Sequence, residues 1–307
     1  MKRVLVLGGS YFAGRAFTVL ASRDGNFELH IVNRGSRPLG PMANVTEFVC
    51  DRNDAAKLVG MLPAGEYDAV VDFCAYHVGD ISKILEAMHD RIKQYIFIST
   101  SSVYDRRDNS PMRETDRVMN LKDVGRENFL DDYIREKLLL ETELMQACTI
   151  YRLPHTIIRP NFLYGPFNYA PRESWYIERI VKGEPIPVPV DANTSFSFCY
   201  VADLARLLML CCGEEKAYRQ IYNVAGPEEI TYKSFMEILK AVSDIPFVTT
   251  DVTVQQVLEQ NIPLPFPLEF SELLDGTKAR DQLGLTYTPF ADGMAKAFKA
   301  FRKVFAS

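Results

Sequence analysis

Tyr133 and Lys137 stand four positions apart in the run Asp132-Tyr133-Ile134-Arg135-Glu136-Lys137. On a helix that spacing puts both side chains on one face. A phenol with a pKa of ~10 is protonated at neutral pH, and a lysine one turn away, beside a cationic nicotinamide, favours the phenolate and lowers that value. The pair can therefore move a proton to or from an alcohol oxygen. Earlier in the chain, Ser99-Thr100-Ser101-Ser102 follows the apolar run Tyr95–Ile98. A hydroxyl at the carboxyl end of a buried strand lies where open α/β sheets bind ligands. Thr100 is the expected catalytic partner of Tyr133 and Lys137, and Ser101 a substrate contact.

The amino-terminal segment supplies the matching binding feature. Arg3–Leu7 leads into Gly8-Gly9-Ser10-Tyr11-Phe12-Ala13-Gly14 and then a helical pattern. A glycine-rich turn from a first strand into a helix offers backbone N–H groups and a helix dipole to a pyrophosphate. The spacing fits GxxGxxG, with Tyr11 in place of the middle glycine. Gly8, Ser10, Tyr11, Phe12 and Gly14 are thus expected at a dinucleotide. After the second strand, an NAD site usually carries an acid for the ribose 2′-OH. Asn33 and Arg34 stand there instead, with Arg37 close by. Arginine can pair with a 2′-phosphate that a carboxylate would repel, so NADP is favoured, with NAD the alternative. Asp51, after the third strand, is placed for the adenine amine. With a nicotinamide present, proton transfer at Tyr133 would accompany hydride transfer at carbon.

At this point the chain resembles the extended short-chain dehydrogenase/reductase superfamily, in its NAD-dependent epimerase/dehydratase group. GGSYFAG is similar to the family's GGTGFIG loop, and FISTSSVY to its strand-end motif with Thr100 at the catalytic position. YIREK resembles YxxxK, IIRPNFLYGP the RPxxxYGP segment, and FCYVADLA the FxxVxDLA segment. IYNVAGPEEIT and KARDQLGLTYTP resemble the segments that follow. The resemblance implies that Ala75 lines the cofactor and that Pro160 to Phe162 lie near the nicotinamide.

The departures bear on the substrate. Sugar-nucleotide enzymes of this group usually have Asn where Phe162 stands, and Asn161 is one residue early. Phe196 occupies the position of an arginine that grips the substrate diphosphate. Dehydratases carry Asp-Glu where Ser101-Ser102 stand. A substrate less charged or smaller than a nucleotide sugar is therefore expected, with Asn161, Arg172, Trp175 and Phe196 as its candidate contacts. Phe167, Tyr169 and Tyr176 could line the same pocket. The leading reading is an NAD(P)-dependent oxidoreductase or epimerase-like enzyme acting on a carbinol carbon. A nucleotide-sugar epimerase proper is one alternative. A non-catalytic or RNA-associated relative is another; the chloroplast stem-loop-binding branch also lacks the middle glycine.

The elements that must position these residues follow a strand–helix alternation. Strands are expected at Val4–Leu7, Leu29–Val32, Val45–Val49, Ala69–Phe73, Tyr95–Ile98 and Thr156–Ile158. Helical patterns at 14–23, 55–62, 81–89 and 130–148 separate most of them. This predicts an α/β fold: a Rossmann-type, doubly wound parallel sheet. Later come strand-like runs at Phe196–Val201 and Gln220–Val224, helices at 202–212 and 234–242, and two proline-rich stretches, 183–189 and 262–267. The expected organisation is a dinucleotide-binding domain over 1–165 plus 195–225. A smaller mixed α/β substrate-binding cap is expected over 166–194 and 226–307.

Composition narrows the class. The 307 residues carry a formal charge of −5, with 47% apolar and 24% charged residues. That is ordinary for a folded globular protein. The mild acidity argues against nucleic acid as a partner, and no run has the ~20 apolar residues of a membrane span. Met1-Lys2-Arg3-Val4 enters a strand without a signal-peptide pattern. The six cysteines form no CxxC pair and mostly sit in apolar runs, as expected for buried thiols in the cytoplasm. Four scattered histidines predict no metal. A homodimer through Leu138–Leu144 is possible by family analogy.

Overall fold

A computed structural model describes residues 1–106 and 108–306. Its centre is a seven-stranded, wholly parallel sheet. The strands are β1 (Lys2–Leu7), β2 (Phe27–Asn33), β3 (Val45–Val49), β4 (Ala69–Asp72), β5 (Tyr95–Ile98), β6 (His155–Pro160) and, after four short strands outside this sheet, β11 (Gln220–Val224). Their spatial order is β3-β2-β1-β4-β5-β6-β11. The order reverses between β1 and β4, which opens a crevice at the carboxyl ends of those strands.

The continuous apolar strands are explained by cover on both faces. Val4 and Val6 of β1 face α1 (Phe12–Ala21) and α6 (Val201–Cys211), joining Phe17, Leu204 and Leu208. Leu5 and Leu7 point the other way, joining Leu58, Ile84, Leu85, Leu140 and Leu144. Those residues belong to α2 (Ala55–Met61), α3 (Asp80–Met88) and α4 (Phe129–Ile150). Leu140 and Leu144 are fully buried there, and Leu138 packs with Val103, Val124 and Ile134. Leu138, Leu140 and Leu144 of that run therefore pack into the protein's own core.

The cap is built on aromatic packing. Helices α5 (Glu173–Lys182), α7 (Tyr232–Val242) and α10 (Phe290–Phe305) pack around Phe196, Phe198, Phe235, Phe266 and Phe290. The expected strand Phe196–Val201 is divided. Ser195–Phe196 (β9) pairs with Ile230–Thr231 (β12), and Phe198–Tyr200 (β10) pairs with Phe162–Tyr164 (β7). Ile186–Pro189 (β8) pairs in parallel with Thr249–Val252 (β13), and a short helix α8 (Val254–Glu259) follows β13. Ile186 and Val190 donate across that pair, to Val248 and Val252. Pro187 and Pro189 sit on or beside an edge, where a missing N–H is tolerated. Helix α9 (Thr277–Leu283) runs beside β11. Among the described residues, no helix is long and apolar enough to cross a membrane.

Candidate active site

Close packing of the strand, loop and helix requires the loop's glycines. A Cβ on Gly14 would lie 2.3 Å from the Gly8 carbonyl oxygen, so α1 can approach the loop this closely only through glycine. Gly8 itself adopts φ +86°. Helix α1 has no side-chain cap and no acidic residue in its first turn, which leaves its amino-terminal N–H groups for an anion. Ser10 is buried beside it. Phe12 adopts φ +34° and packs into the cap core. Tyr11 turns outward: its ring stacks on Tyr169 at 4.8 Å, and the Arg37 guanidinium lies 3.9 Å from its centroid. A dinucleotide pyrophosphate therefore fits the loop, with Tyr11 displaced to the rim.

The ribose end differs from the expectation for NADP. The Asn33 amide donates to Glu47 at 2.6 Å, and its oxygen accepts from the Gly35 N–H at 2.7 Å. A carboxylate thus stands beside the end of β2, and Arg37 is engaged on Tyr11. Arg34 is exposed. Asp51 accepts from the Asn53 N–H at 2.9 Å, and that bond holds its carboxyl below the usual range. Beneath this end, Arg52 grips the buried Asp72 with bonds of 2.7 and 2.8 Å, and Tyr95 also donates to Asp72.

Helix α4 carries the chemistry as one stripe. Tyr133, Lys137 and Glu141, each a turn apart, all face the sheet. Lys137 is buried, and its ammonium donates to the carbonyls of Ile98 at 2.8 Å and Ala75 at 3.2 Å. Burial brings its pKa down to about 8. Tyr133 is half-buried, near enough to the Thr100 hydroxyl to be influenced by it, and its ring centroid is 5.9 Å from the Lys137 nitrogen. In the free protein burial raises the Tyr133 pKa, the nearby Thr100 hydroxyl opposes that rise, and Lys137 donates to two carbonyls. The phenol is a neutral acid in the free protein. One turn further, Glu141 accepts from Arg159 at 2.9 and 2.6 Å and from Ser99 at 2.6 Å. This buried pair ties α4 to β6 and to the residue preceding Thr100.

On the substrate side, Ser101 donates to Asn161 at 3.1 Å and to Glu272 at 3.3 Å. Asn161 donates to the carbonyls of Ser197 and Glu272, both at 3.0 Å, so its side chain is committed to holding the cap. Arg172 donates to the Leu163 carbonyl and covers the Phe162 ring at 5.2 Å. Its charge also acts on Tyr133 and Glu272. Glu173 beside it accepts from the Gly165 N–H and from Asn168, and burial raises its pKa to about 7.

Thr100, Ser101, Tyr133, Lys137, Arg172 and the Ala75 carbonyl are thus brought together, with Pro160 and Phe162 following on the neighbouring strand end. Two expected substrate contacts are not. Phe196 is 1% exposed inside the aromatic core, 6.0 Å from Phe162 and 5.4 Å from Phe266. Trp175 is half-buried on α5 beneath Arg179. Sequence reasoning missed Glu47, Arg52, Arg106, Glu141, Arg159 and Glu272. A charged residue inside an apolar strand, as Arg159 is, was the available signal.

Residues 4–225 match the NAD dependent epimerase/dehydratase family. The chain belongs to that family. It is 30% identical over 245 residues to the chloroplast stem-loop binding protein of 41 kDa b from Arabidopsis thaliana. That match covers 75% of this chain and 60% of the relative, so the chain spans well under the relative's whole length. In structure it is similar to UDP-glucuronic acid 4-epimerase from Bacillus cereus, solved with NAD. The TM-score is 0.77 at 18% identity, over 99% of both chains. UDP-glucose 4-epimerase from Thermotoga maritima, solved with UDP-glucose, gives 0.74 at 20% identity, over 98% of this chain and 99% of that one. The family is NAD-dependent, and the Rossmann-type fold is shared with these epimerases.

Proposed function

We propose that this protein is an NAD-dependent enzyme that interconverts a carbinol and a carbonyl on a small, sugar-like substrate. The Tyr133 phenol beside the Thr100 hydroxyl and the buried Lys137 ammonium, at the carboxyl edge of β5, carries this reading. The glycine loop and the α1 terminus hold the pyrophosphate. When bound, the nicotinamide supplies the acceptor and donor of the carbon-bound hydrogen. Thr100 orients the substrate oxygen. Tyr133 takes the hydroxyl proton as the carbonyl forms and returns it in the reverse direction. Lys137 makes that phenolate accessible by its charge. Reduction and epimerisation share this step and differ in whether the hydrogen returns to the same molecule. The six free cysteines, five of them buried, suit a reducing compartment such as the cytoplasm.

For the cofactor we favour NAD over NADP. Glu47 beside Asn33 places a negative group where a 2′-phosphate would sit, and like charges repel. Calorimetric titration should find NAD(H) tighter than NADP(H) by about 10-fold, the scale of one unfavourable charge contact. Equal or tighter NADP(H) contradicts this assignment. For the substrate, thermal protection of the NAD-loaded protein should be stronger with neutral sugars than with UDP-sugars. The opposite ranking would favour a nucleotide-sugar epimerase proper. The Arabidopsis relative motivates a second reading, stem-loop RNA binding. RNA retention that survives Tyr133→Phe in a low-salt gel shift would support it, whereas the net charge of −5 opposes it.

A further inference from the structure

Glu272 lies next to the reacting groups, yet no step above uses it. Its backbone is fixed between β9 and β10: its N–H donates to Ser195 at 2.8 Å, and its carbonyl accepts from Ser197 at 2.9 Å. Its side chain is 8% exposed. Oε1 accepts from Ser101 at 3.3 Å and from Arg106 at 2.7 Å. Oε2 accepts no hydrogen bond among the described residues. On the partner side, the Arg106 Nε is buried without an acceptor among them. One ion pair therefore presents a spare acceptor and a spare donor. A buried pair is costly unless its remaining lone pairs and protons are satisfied. Ser101 directly follows Thr100, and the Arg172 charge reaches both Glu272 and Tyr133. The pair, with a buried spare donor on Arg106 and an unpaired oxygen on Glu272 open to a ligand, thus adjoins the substrate oxygen.

We propose that Glu272 and Arg106 bind a vicinal diol of a neutral sugar, beside the carbinol held by Thr100 and Tyr133. This rests on the sugar-like substrate proposed above. One hydroxyl donates to Oε2 of Glu272, and a neighbouring hydroxyl oxygen accepts from Nε of Arg106. Two hydroxyls match the spare groups in number and sense. A substrate carboxylate has no proton to give Oε2 and meets a like charge.

The test compares wild type, Glu272→Gln and Arg106→Lys, all loaded with NAD. The probes are two matched pairs: methyl β-D-glucoside with methyl β-D-glucuronide, and UDP-glucose with UDP-glucuronate. Binding is read by saturation-transfer NMR and calorimetry. Wild type should prefer the neutral member by about 10-fold or more, the scale of a hydrogen bond to a charged group. Glu272→Gln should erase most of that preference, and Arg106→Lys should weaken the neutral member. Both variants should keep wild-type NAD affinity, and KM for the neutral sugar should rise more than kcat falls. An unchanged preference in both variants overturns the assignment of Glu272 and Arg106 alone. A lowered Tm with unchanged preference also overturns it, leaving a purely structural pair. Failure of wild type to bind any of the four probes overturns the sugar reading itself, and this inference with it.

Discussion

Tyr133→Phe lowers turnover by about 10³-fold, in the middle of the range for a positioned acid–base group. The substitution removes one oxygen and leaves the ring, so the packing of α4 is retained. Dinucleotide affinity should stay within about threefold of wild type, because the pyrophosphate cradle is built from backbone groups far along the sheet edge. Calorimetry for the cofactor and steady-state turnover for the reaction separate the two. A variant that keeps wild-type turnover would show that proton transfer occurs elsewhere. A variant that loses NAD binding as well would show that the phenol is structural. The raised pKa of Tyr133 sharpens this expectation. The phenol must lose its proton before it can act as the base in the oxidation, and its deprotonated form depends on Lys137 remaining charged. Since burial leaves the Lys137 pKa at about 8, that support weakens as pH rises past about 8.

The second large effect is on stability. Arg159→Met should destabilise the protein by about 3–5 kcal/mol, the cost of leaving one partner of a buried ion pair alone. Arg159 and Glu141 are 3% and 4% exposed, and the guanidinium makes both side-chain bonds to the carboxylate. Removing it leaves Glu141 with only the Ser99 hydroxyl. Denaturant unfolding measures the loss directly. Pairing Arg159→Met with Glu141→Leu should recover most of it, because an apolar replacement of both partners removes the stranded charge. A loss below about 1 kcal/mol in the single variant would place the pair in the class of solvent-screened bridges. Activity offers an independent reading: Ser99 precedes Thr100, so a displaced Glu141 shifts the strand end that presents the catalytic hydroxyl.

The central sheet was legible because its signals are local. Each inner strand is a continuous apolar run, and covered parallel strands require that. The glycine loop and the Tyr133–Lys137 stripe were legible for the same reason, since both are fixed by short spacings along one element. What escaped was set by distant pairing. Glu272 meets Ser101 only because the cap strand returns across the sheet edge. Glu47 reaches Asn33 across the β2–β3 register. The proline-rich β8 escaped because its partner β13 lies about sixty residues on. Helix α10 went unread, although Phe290, Met294, Ala297, Phe298 and Phe301 repeat with a helical period and line the cap core. The Leu138–Leu144 run shows the converse. An apolar stretch states that a surface is covered, and only the fold shows whether its own core or a second copy covers it.

The most direct measurement is the nicotinamide absorbance band near 340 nm, recorded after NAD-loaded protein is mixed with a panel of neutral and nucleotide-linked sugars. Wild type should develop the band with at least one sugar, and Tyr133→Phe, with NAD bound equally well, should not. No band with any sugar, either lasting or as a transient in rapid mixing, together with no interconversion of any sugar, or the same band in both proteins, would contradict hydride transfer at the Thr100–Tyr133–Lys137 site.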